Sequence, residues 1–400
     1  MERLGRAFAL WSGAAPVLVG RDTRVSGPDL EAALVRGLTD AGSGARLGGV
    51  LPTPAVALLA GEDCGAVVSA SHNPPEYNGV KFFASEGRKL TEDEEHAVEE
   101  LLDAPAARGG GPGRPSAYPD ATARYVELVT ARFGSPLRGL RVAVDCANGA
   151  MSEAAPQAFE KLDCHVVMVG NQPDGTNINV GCGATDLTLL KRTVRANDVD
   201  FGIAFDGDGD RMLAVDADAN EIDGDQTLAI VAIHLGVDLV AVTEMTNMGF
   251  HQLMKERGIR VITTDVGDRL VAEALRSEGG VLGGEQSGHL ICLRGHTTGD
   301  GLVAALLLCQ AVLETGMPLS ELAAVMPRFP QAKTNVPVRT KAISSQLRRE
   351  IEELTDGGRV VVRPSGTEPV VRVLAEAESE ETARQLCARI AALVSRELGS

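Results

Sequence analysis

The chain has 400 residues, of which 44% are hydrophobic and only 3% aromatic, and its formal net charge is −17. A single hydrophobic core rarely extends over such a length, so we expect two to four domains. The negative charge argues against nucleic acid and against an anionic membrane as partners, because either polyanion would be repelled at long range. A small anionic substrate stays compatible with this charge if basic residues gather in one place.

The start of the chain favours a helix over a secretory signal. Leu4, Phe8 and Trp11 recur at helical spacing, and the apolar stretch is too short for a signal peptide. Seven cysteines lie scattered without C-x-x-C spacing, which predicts reduced thiols and a cytoplasmic location. No apolar run reaches membrane-spanning length without a charge or a histidine.

Short β-branched runs alternate with helical patterns over most of the chain. They begin near residues 16, 66, 141, 165, 201, 239 and 260. Such alternation is typical of βαβ units and predicts an α/β fold with mixed or parallel sheets. The end of the chain differs, because two extended runs at 359–364 and 369–377 precede an amphipathic helix from Glu380.

Three changes of composition divide the chain. A Gly- and Pro-rich stretch covers 107–120, an Asp- and Gly-rich tract ends near 220, and a helical pattern becomes extended between 327 and 333. We therefore predict three α/β domains with mixed sheets and a C-terminal α+β domain. Their predicted ranges are 1–117, 118–221, 222–333 and 334–400.

An acidic motif, D-G-D-G-D-R, follows the apolar run at 201–205. Asp206, Asp208 and Asp210 alternate with glycines, so their carboxylates can converge on one cation, and such hard oxygen ligands favour Mg²⁺. An EF-hand calcium loop would need an acid where Ala217 stands. The remaining alternative is a solvated acidic turn, which needs fewer acids than this motif contains.

The polar segment at 69–81 follows another predicted strand. An Asn-Pro-Pro run at 73–75 predicts an extended exit that holds Ser71 and His72 at an exposed strand end. Ser71 could be a nucleophile or a phosphate carrier, and Lys81 could be a general acid or base if desolvation lowers its pKa. Taken alone, Ser71 would more often be a capping or turn residue.

A third polar loop, R-P-S-G-T-E-P, connects the two extended runs at the end of the chain. Arg363 offers a fork for phosphate oxygens, and the hydroxyl and amide groups of Ser365, Gly366 and Thr367 can complete a phosphate nest. A plain strand-connecting turn is the alternative.

Two other loops carry polar groups between glycines. G-G-E-Q-S-G-H places Glu285, Ser287 and His289 where they could bind sugar hydroxyls. G-R-D-T-R-V-S-G brings Arg21 and Arg24 together, either as a salt-bridged turn or as a wall of an anion site.

Four of these motifs, S-A-S-H-N-P, D-G-D-G-D-R, G-E-Q-S-G-H and R-P-S-G-T-E-P, resemble in this order the signature loops of the phosphohexomutases. The resemblance covers essentially the whole chain and implies a four-domain, heart-shaped enzyme with one loop per domain around a central cleft. It implies that Ser71 is a phosphoserine, and that Ser71 with Asp206, Asp208 and Asp210 binds one Mg²⁺ per chain. It also implies a phosphosugar substrate and a sugar bisphosphate intermediate as partners, and a homodimer is a further expectation.

The same resemblance implies roles for the remaining loop residues. Lys81 would transfer a proton, and His72 and Arg211 would support catalysis. Glu285 and Ser287 would bind the sugar hydroxyls. The residues expected to hold the phosphate that does not react are Arg363, Ser365, Gly366 and Thr367. Arg21 is a further expected substrate-binding residue.

The substrate follows from finer likenesses. Gln286, V-G-D-R at 266–269, T-T-G-D-G at 297–301 and F-P-Q at 329–331 are similar to the branch of the family that interconverts glucosamine 6-phosphate and glucosamine 1-phosphate. By contrast, P-P-E-Y-N-G at 74–79 is similar to the mannose and glucose phosphate branch, so those sugars are the alternative substrates.

One departure concerns the start of the sequence. Members of the family ordinarily begin with a strand and a loop of the form F-G-T-D-G-I-R-G, whereas this sequence starts within the helix that follows. We expect either a start upstream or the loss of one element of the first sheet and of a cleft arginine. In the second case the chain could bind phosphosugars without turnover.

Overall fold

The computed structural model describes residues 1–104, 113–365 and 368–399. Gly366 and Thr367, two of the predicted phosphate-binding residues, lie outside the described residues. The described residues form four sheets that follow one another along the chain. The predicted strand runs near residues 16, 66, 141, 165, 201, 239 and 260 all form strands, which confirms the α/β interpretation.

The first sheet has the strand order β4-β3-β1-β2-β5, and only the β3–β4 pair is antiparallel. Its strands are β1 (Val17–Arg21), β2 (Ala45–Val50), β3 (Cys64–Val68), β4 (Val80–Phe83) and β5 (Pro115–Ala117). Its helices are α1 (Glu2–Trp11), α2 (Gly27–Asp40), α3 (Thr53–Ala60) and α4 (Glu92–Glu100). The first helix confirms the prediction from the spacing of Leu4, Phe8 and Trp11.

The second sheet has the order β10-β9-β8-β6-β7, with β7, β6 and β8 parallel and the other pairs antiparallel. Its strands are β6 (Arg141–Asp145), β7 (His165–Val169), β8 (Phe201–Phe205), β9 (Met212–Asp216) and β10 (Glu221–Ile222). Its helices are α5 (Ala121–Phe133), α6 (Met151–Lys161) and α7 (Thr188–Ala196). Every residue of β8 is buried, because helices cover the sheet around this strand.

The third sheet has the order β12-β11-β13-β14, with only β13–β14 antiparallel. Its strands are β11 (Leu239–Thr243), β12 (Arg260–Thr264), β13 (Leu282–Gly284) and β14 (Leu290–Cys292). Its helices are α8 (Gly224–Leu235), α9 (Met248–Glu256), α10 (Asp268–Glu278), α11 (Gly301–Thr315) and α12 (Leu319–Ala324).

The last sheet is antiparallel, with the order β15-β17-β16. Its strands are β15 (Gln331–Pro337), β16 (Gly358–Pro364) and β17 (Val370–Ala377), and its helices are α13 (Ser345–Leu354) and α14 (Glu380–Leu398). This arrangement confirms the predicted α+β character. Strand β15 begins at Gln331 and therefore crosses the boundary predicted between residues 333 and 334.

The hydrophobic core connects the first three sheets. One buried cluster runs from Leu18 through Tyr125 and Phe205 to Leu308, whereas the last sheet has a separate cluster around Val371 and Ile390. The seven cysteines have free thiols. Within the described ranges, no helix is long and apolar enough to cross a bilayer.

Candidate active site

The acidic motif forms the turn between β8 and β9. Asp206, Asp208 and Asp210 are all buried, and each offers a carboxylate oxygen within 4.8 Å of the others. The two intervening glycines make this turn possible. A Cβ at Gly207 would lie 2.5 Å from the carbonyl oxygen of Ser71, and Gly209 has a φ of +74°, which other residues rarely adopt.

This cluster fits a magnesium ion. Burial, with Asp210 and Asp208 nearby, raises the pKa of Asp206 well above its ordinary value. Asp208 Oδ1 and Asp210 Oδ1 are buried and have no hydrogen-bond partner among the described residues. Buried oxygens of this kind are costly unless something binds them. Hard carboxylate oxygens are the ligands that Mg²⁺ prefers.

Ser71 lies directly against this cluster. Its Oγ donates a 2.7 Å hydrogen bond to Asp206 Oδ2 and lies 3.3 Å from His72 Nδ1. Ser71 is only 8% exposed, so the expectation of an exposed position is wrong for this residue, although His72 is exposed. The reason is that the turn after β8 covers the serine. The φ of Ser71 is +51°, a left-handed conformation that costs free energy in a non-glycine residue.

Arg24 holds the backbone around Ser71. This arginine is fully buried, and its Nη1 and Nη2 groups donate to four carbonyl oxygens of the serine loop. The acceptors are Ser71, Asn73, Pro74 and Tyr77. Its Nε donates to Asp22 Oδ2 at 2.8 Å, which also accepts from Ser69 Oγ at 2.6 Å. Asn179, from the second α/β unit, donates to Ser71 O at 2.9 Å.

Lys81 reaches the acidic cluster from β4. Its Nζ donates to Asp208 Oδ2 at 2.6 Å and to Asp210 Oδ2 at 3.1 Å. Burial alone would lower the pKa of Lys81, but the two carboxylates outweigh that effect and raise the pKa above its ordinary value. The sequence allowed Lys81 to be a general acid or base if desolvation lowers its pKa. That condition is not met, and Lys81 keeps its proton here.

Arg211 and His72 add further groups beside the cluster. Arg211 is close enough to Asp210, Asp206 and Glu285 for their charges to raise its pKa, against the effect of burial. Partial burial and then the Arg211 charge lower the pKa of His72, so its imidazole is neutral at neutral pH. A charged guanidinium and a neutral imidazole thus lie near Ser71 Oγ.

His289 connects the cluster to the third sheet. Its Nδ1 lies 3.7 Å from Asp210 Oδ1 and its Nε2 lies 3.0 Å from Asp268 Oδ2. Burial would lower the pKa of His289, but the two aspartates raise it to about 9. Asp268 also forms an ion pair with Lys89 of the first unit. The first three α/β units therefore meet at the acidic cluster.

The predicted sugar loop lies between β13 and β14. Ser287 Oγ donates to Glu285 Oε2 at 3.2 Å. Both residues line a cavity of about 270 Å³, which Thr243 and Met245 also line. Because Arg211 lies near Glu285, this loop adjoins the acidic cluster.

Arg363 and Ser365 lie at the end of β16. Arg363 lines a second cavity of about 270 Å³ together with Lys333 and Arg372, and Met245 lines both this cavity and the previous one. Ser365 is buried, and its Oγ accepts from the backbone N–H of Glu368 at 3.3 Å. This hydroxyl thus binds a backbone group of its own loop.

Arg21 has different hydrogen-bond partners from Arg24. Its Nε donates to Glu31 Oε2 at 3.1 Å, and its Nη1 donates to the carbonyl oxygen of Asp22 at 3.3 Å. The geometry therefore corresponds to the salt-bridged turn, one of the two alternatives that the sequence left open for this loop.

Four family models match the chain in succession. They are described as phosphoglucomutase/phosphomannomutase alpha/beta/alpha domains I, II and III and the C-terminal domain, and they match residues 1–108, 123–220, 223–329 and 323–393. The chain belongs to the phosphoglucomutase/phosphomannomutase family.

Members of this family with high identity to the chain carry a narrower description. A phosphoglucosamine mutase of Saccharopolyspora erythraea is 47% identical over 94% of this chain and 89% of its own length. One of Pelotomaculum thermopropionicum is 44% identical over 98% of this chain and 94% of its own length.

Solved structures of the family share the fold. A family protein from Burkholderia thailandensis superposes with a TM-score of 0.86 at 26% identity, covering 99% of this chain and 93% of that one. The N-acetylphosphoglucosamine mutase of Aspergillus fumigatus, solved with GlcNAc-6P and magnesium, has a TM-score of 0.72 at 21% identity. That alignment covers 87% of this chain and 93% of the fungal one.

The sequence did not predict the roles of several residues at this site. Arg24 shares a motif with Arg21, but the sequence did not indicate which of the two faces Ser71. His289 was expected to bind sugar hydroxyls, whereas it lies between Asp210 and Asp268. No local signal marked Asp268 or Thr53, because their contacts come from distant parts of the chain.

Proposed function

We propose that this chain is a phosphosugar mutase that interconverts glucosamine 6-phosphate and glucosamine 1-phosphate. The reaction would pass through a phosphoserine at Ser71 and a bisphosphorylated sugar. The observation that supports this most directly is the 2.7 Å hydrogen bond from Ser71 Oγ to Asp206 inside a buried cluster of three carboxylates. The names of the relatives at 44–47% identity support the choice of sugar.

The transfer has two balanced steps. In the first, the P–Oγ bond of phosphoserine 71 breaks, a sugar hydroxyl oxygen forms a bond to the same phosphorus, and the hydroxyl proton passes to the enzyme. In the second, Ser71 Oγ takes the other phosphoryl group from the reoriented bisphosphate, and the freed sugar oxygen regains a proton. The net reaction therefore moves one phosphoryl group between two positions of the sugar.

The chain's own residues would serve these steps through position and charge. Lys81 and Arg211 bring positive charge to a site next to Ser71, where the phosphoryl group carries negative charge. His72 Nδ1, 3.3 Å from Ser71 Oγ, is neutral and able to hold a proton. Lys81 stays our proposed proton-transfer group. Because it keeps its proton, it can act only as the donor to the freed sugar oxygen in the second step, while neutral His72 accepts the hydroxyl proton in the first step and then returns a proton to Lys81.

Mg²⁺ bound by Asp206, Asp208, Asp210 and the Ser71 oxygen would neutralise charge on the phosphoryl oxygens. We propose that Glu285 and Ser287 bind sugar hydroxyls, and that Arg363 with its loop holds the phosphate that does not react. The net charge of the chain is −17, but the basic side chains of Lys81, Arg211 and Arg363 would provide the local positive charge that an anionic substrate needs.

We also propose the four domain ranges predicted from the sequence, with the last domain starting at Gln331. The reason for this shift is that β15 pairs with β17 along its whole length. The homodimer and the cytoplasmic location stay predictions, and light scattering of the purified protein tests the first of them.

A panel of substrates tests the function. Purified protein, primed with glucose 1,6-bisphosphate and Mg²⁺, is given glucosamine 6-phosphate, mannose 1-phosphate or glucose 1-phosphate, and the phosphosugar products are quantified. We expect fastest turnover of glucosamine 6-phosphate and none by Ser71→Ala. Preference for a hexose phosphate would support the alternative suggested by the segment 74–79. Binding without turnover of any of the three sugars would replace the mutase by a phosphosugar-binding protein.

A further inference from the structure

Thr53, which belongs to the first α/β unit, contacts the acidic cluster of the second unit. It is the first residue of α3, and its Oγ1 donates a 2.5 Å hydrogen bond to Asp208 Oδ2. Its backbone N–H also donates to the backbone carbonyl of Asp208 at 2.9 Å. Thr53 is 1% exposed and Asp208 is fully buried, so water does not compete for these bonds.

The side chain of Asp208 is held through only one of its two carboxylate oxygens. Oδ2 accepts from both Thr53 and Lys81, whereas Oδ1 is buried and has no partner among the described residues. A carboxylate held by one oxygen presents the other in a fixed direction. Mg²⁺ demands near-ideal octahedral geometry, so a fixed single oxygen suits it better than a carboxylate free to rotate.

The surroundings of Thr53 keep its hydroxyl in place. Pro52 and Pro54 flank it, and Pro52 has a φ of −58° and a ψ of 145° as the N-cap of α3. Prolines restrict the backbone on both sides, and a β-branched side chain has few rotamers. The donor is therefore already oriented before any ion binds.

We infer that Thr53 is a positioning residue of the magnesium site, through which the first α/β unit orients Asp208 as a metal ligand. The inference rests on the proposed magnesium site. Residues that hydrogen-bond metal ligands typically contribute about 10- to 100-fold to metal affinity or activity. Thr53 differs from Lys81 because it is neutral, so it can hold Asp208 without adding a positive charge that would repel Mg²⁺.

The test measures Mg²⁺ affinity without any sugar. Isothermal titration calorimetry with Mg²⁺ compares wild type, Thr53→Val and Thr53→Ser, each with Ser71 in the same phosphorylation state as verified by mass. We expect Thr53→Val to raise the Kd for Mg²⁺ about 10-fold, whereas Thr53→Ser, which keeps the hydroxyl, stays near wild type. Thr130→Val is the matched control, because Thr130 is also buried and its hydroxyl bonds only backbone carbonyls of its own helix.

A second readout separates orientation from folding. In turnover assays, Thr53→Val should need more Mg²⁺ for half-maximal activity, with kcat recovering at saturating Mg²⁺. Circular dichroism in the absence of Mg²⁺ checks that the variant is folded, and Thr53→Ala replaces it if it is not. An unchanged Kd in the folded variant overturns the inference, and so does an equal loss in Thr53→Ser. Because calorimetry needs no substrate, the measured Mg²⁺ affinities test the role of Thr53 even if none of the three sugars is turned over.

Discussion

Asp206 lies 135 positions after Ser71 and accepts a 2.7 Å hydrogen bond from its hydroxyl. The contact joins the carboxyl ends of β3 and β8, which belong to different sheets. Because parallel strands direct their following loops to one edge of each sheet, two such edges facing each other place a serine against an acidic turn. The catalytic proposal depends on this contact between two separate units.

The first prediction concerns the metal ligands. Asn in place of Asp206 cannot ionise to supply the negative charge of a magnesium ligand, so Asp206→Asn should weaken Mg²⁺ binding by more than about 10-fold, since even partners of ligands contribute that much. Calorimetric titration with Mg²⁺ measures the change. Asp218→Asn, at an exposed position in the turn between β9 and β10, serves as the control. Equal affinities of Asp206→Asn and Asp218→Asn would refute the assigned ligand.

The second prediction concerns Arg24. Lysine keeps the charge beside Asp22 but has three donors and no planar fork, so Arg24→Lys cannot reach all four carbonyl oxygens of the serine loop. Buried acceptors left without donors cost about 1–3 kcal/mol each. We expect a lower Tm and a lower kcat, with KM for the phosphosugar nearly unchanged, because Ser71 would lose its orientation while the sugar contacts remain.

Kinetic assays and thermal unfolding of the same preparations check this expectation. Arg36→Lys is the control, since the Arg36 side chain is 60% exposed. A rise in KM at constant kcat would instead assign Arg24 to substrate binding, contrary to the geometry.

The local motifs allowed much of this site to be predicted, because their chemistry is contained in a few consecutive residues. The three aspartates at alternate positions after an apolar strand needed no knowledge of the rest of the fold. The same holds for the two strands on either side of the predicted phosphate loop, because both are long and rich in β-branched residues.

Properties that arise from distant contacts could not be predicted from local patterns. The burial of Ser71 depends on Gly207 and Asn179, and the pKa of Lys81 depends on Asp208 and Asp210. The predicted domain boundary between residues 333 and 334 falls within strand β15, because an extended segment does not show which sheet it joins until its pairing with β17 is known. In each case the deciding partner lies far away in sequence.

The third prediction concerns Arg359, which fixes the last sheet against the third one. It forms a 2.9 Å ion pair with the fully buried Glu376 and donates to the carbonyl oxygens of Thr246 and Glu244. Arg363 lies four residues along the same strand and therefore on the same face. Removing Arg359 should displace Arg363 and leave the buried Glu376 carboxylate without its cationic partner, at a cost of up to about 3–5 kcal/mol.

We accordingly expect Arg359→Met to raise KM for the phosphosugar more than it lowers kcat, since the phosphate-binding residue moves while Ser71 and its cluster stay in place. Arg389→Met, at an exposed position on α14, provides the comparison. A loss of kcat at unchanged KM would contradict this role for the strand.

The last prediction concerns Asp225, near the start of α8. Burial, followed by the charge of Asp223, raises the pKa of its carboxyl to about 7 from 3.8. Its Oδ2 accepts from the backbone N–H of Asn247 at 2.9 Å, whereas Oδ1 has no partner among the described residues. The ionised form is therefore poorly compensated in the folded state.

The sign of the pH dependence follows from these two pKa values. Between pH 4 and 7 the unfolded chain has released this proton while the folded chain still holds it, so the free energy of unfolding falls as the pH rises. A difference of about 3 pKa units corresponds to at most about 4 kcal/mol of unfolding free energy, and this loss is complete above pH 7.

The variant Asp225→Asn tests this pH dependence. Asn cannot ionise and still offers an oxygen to the backbone N–H of Asn247, so the variant should have the Tm of wild type near pH 4 and a higher Tm than wild type at pH 8. Thermal unfolding across this range measures the difference, with Asp218→Asn as the exposed control. If Asp225→Asn and wild type lose stability in parallel as the pH rises, the destabilising charge resides on another group.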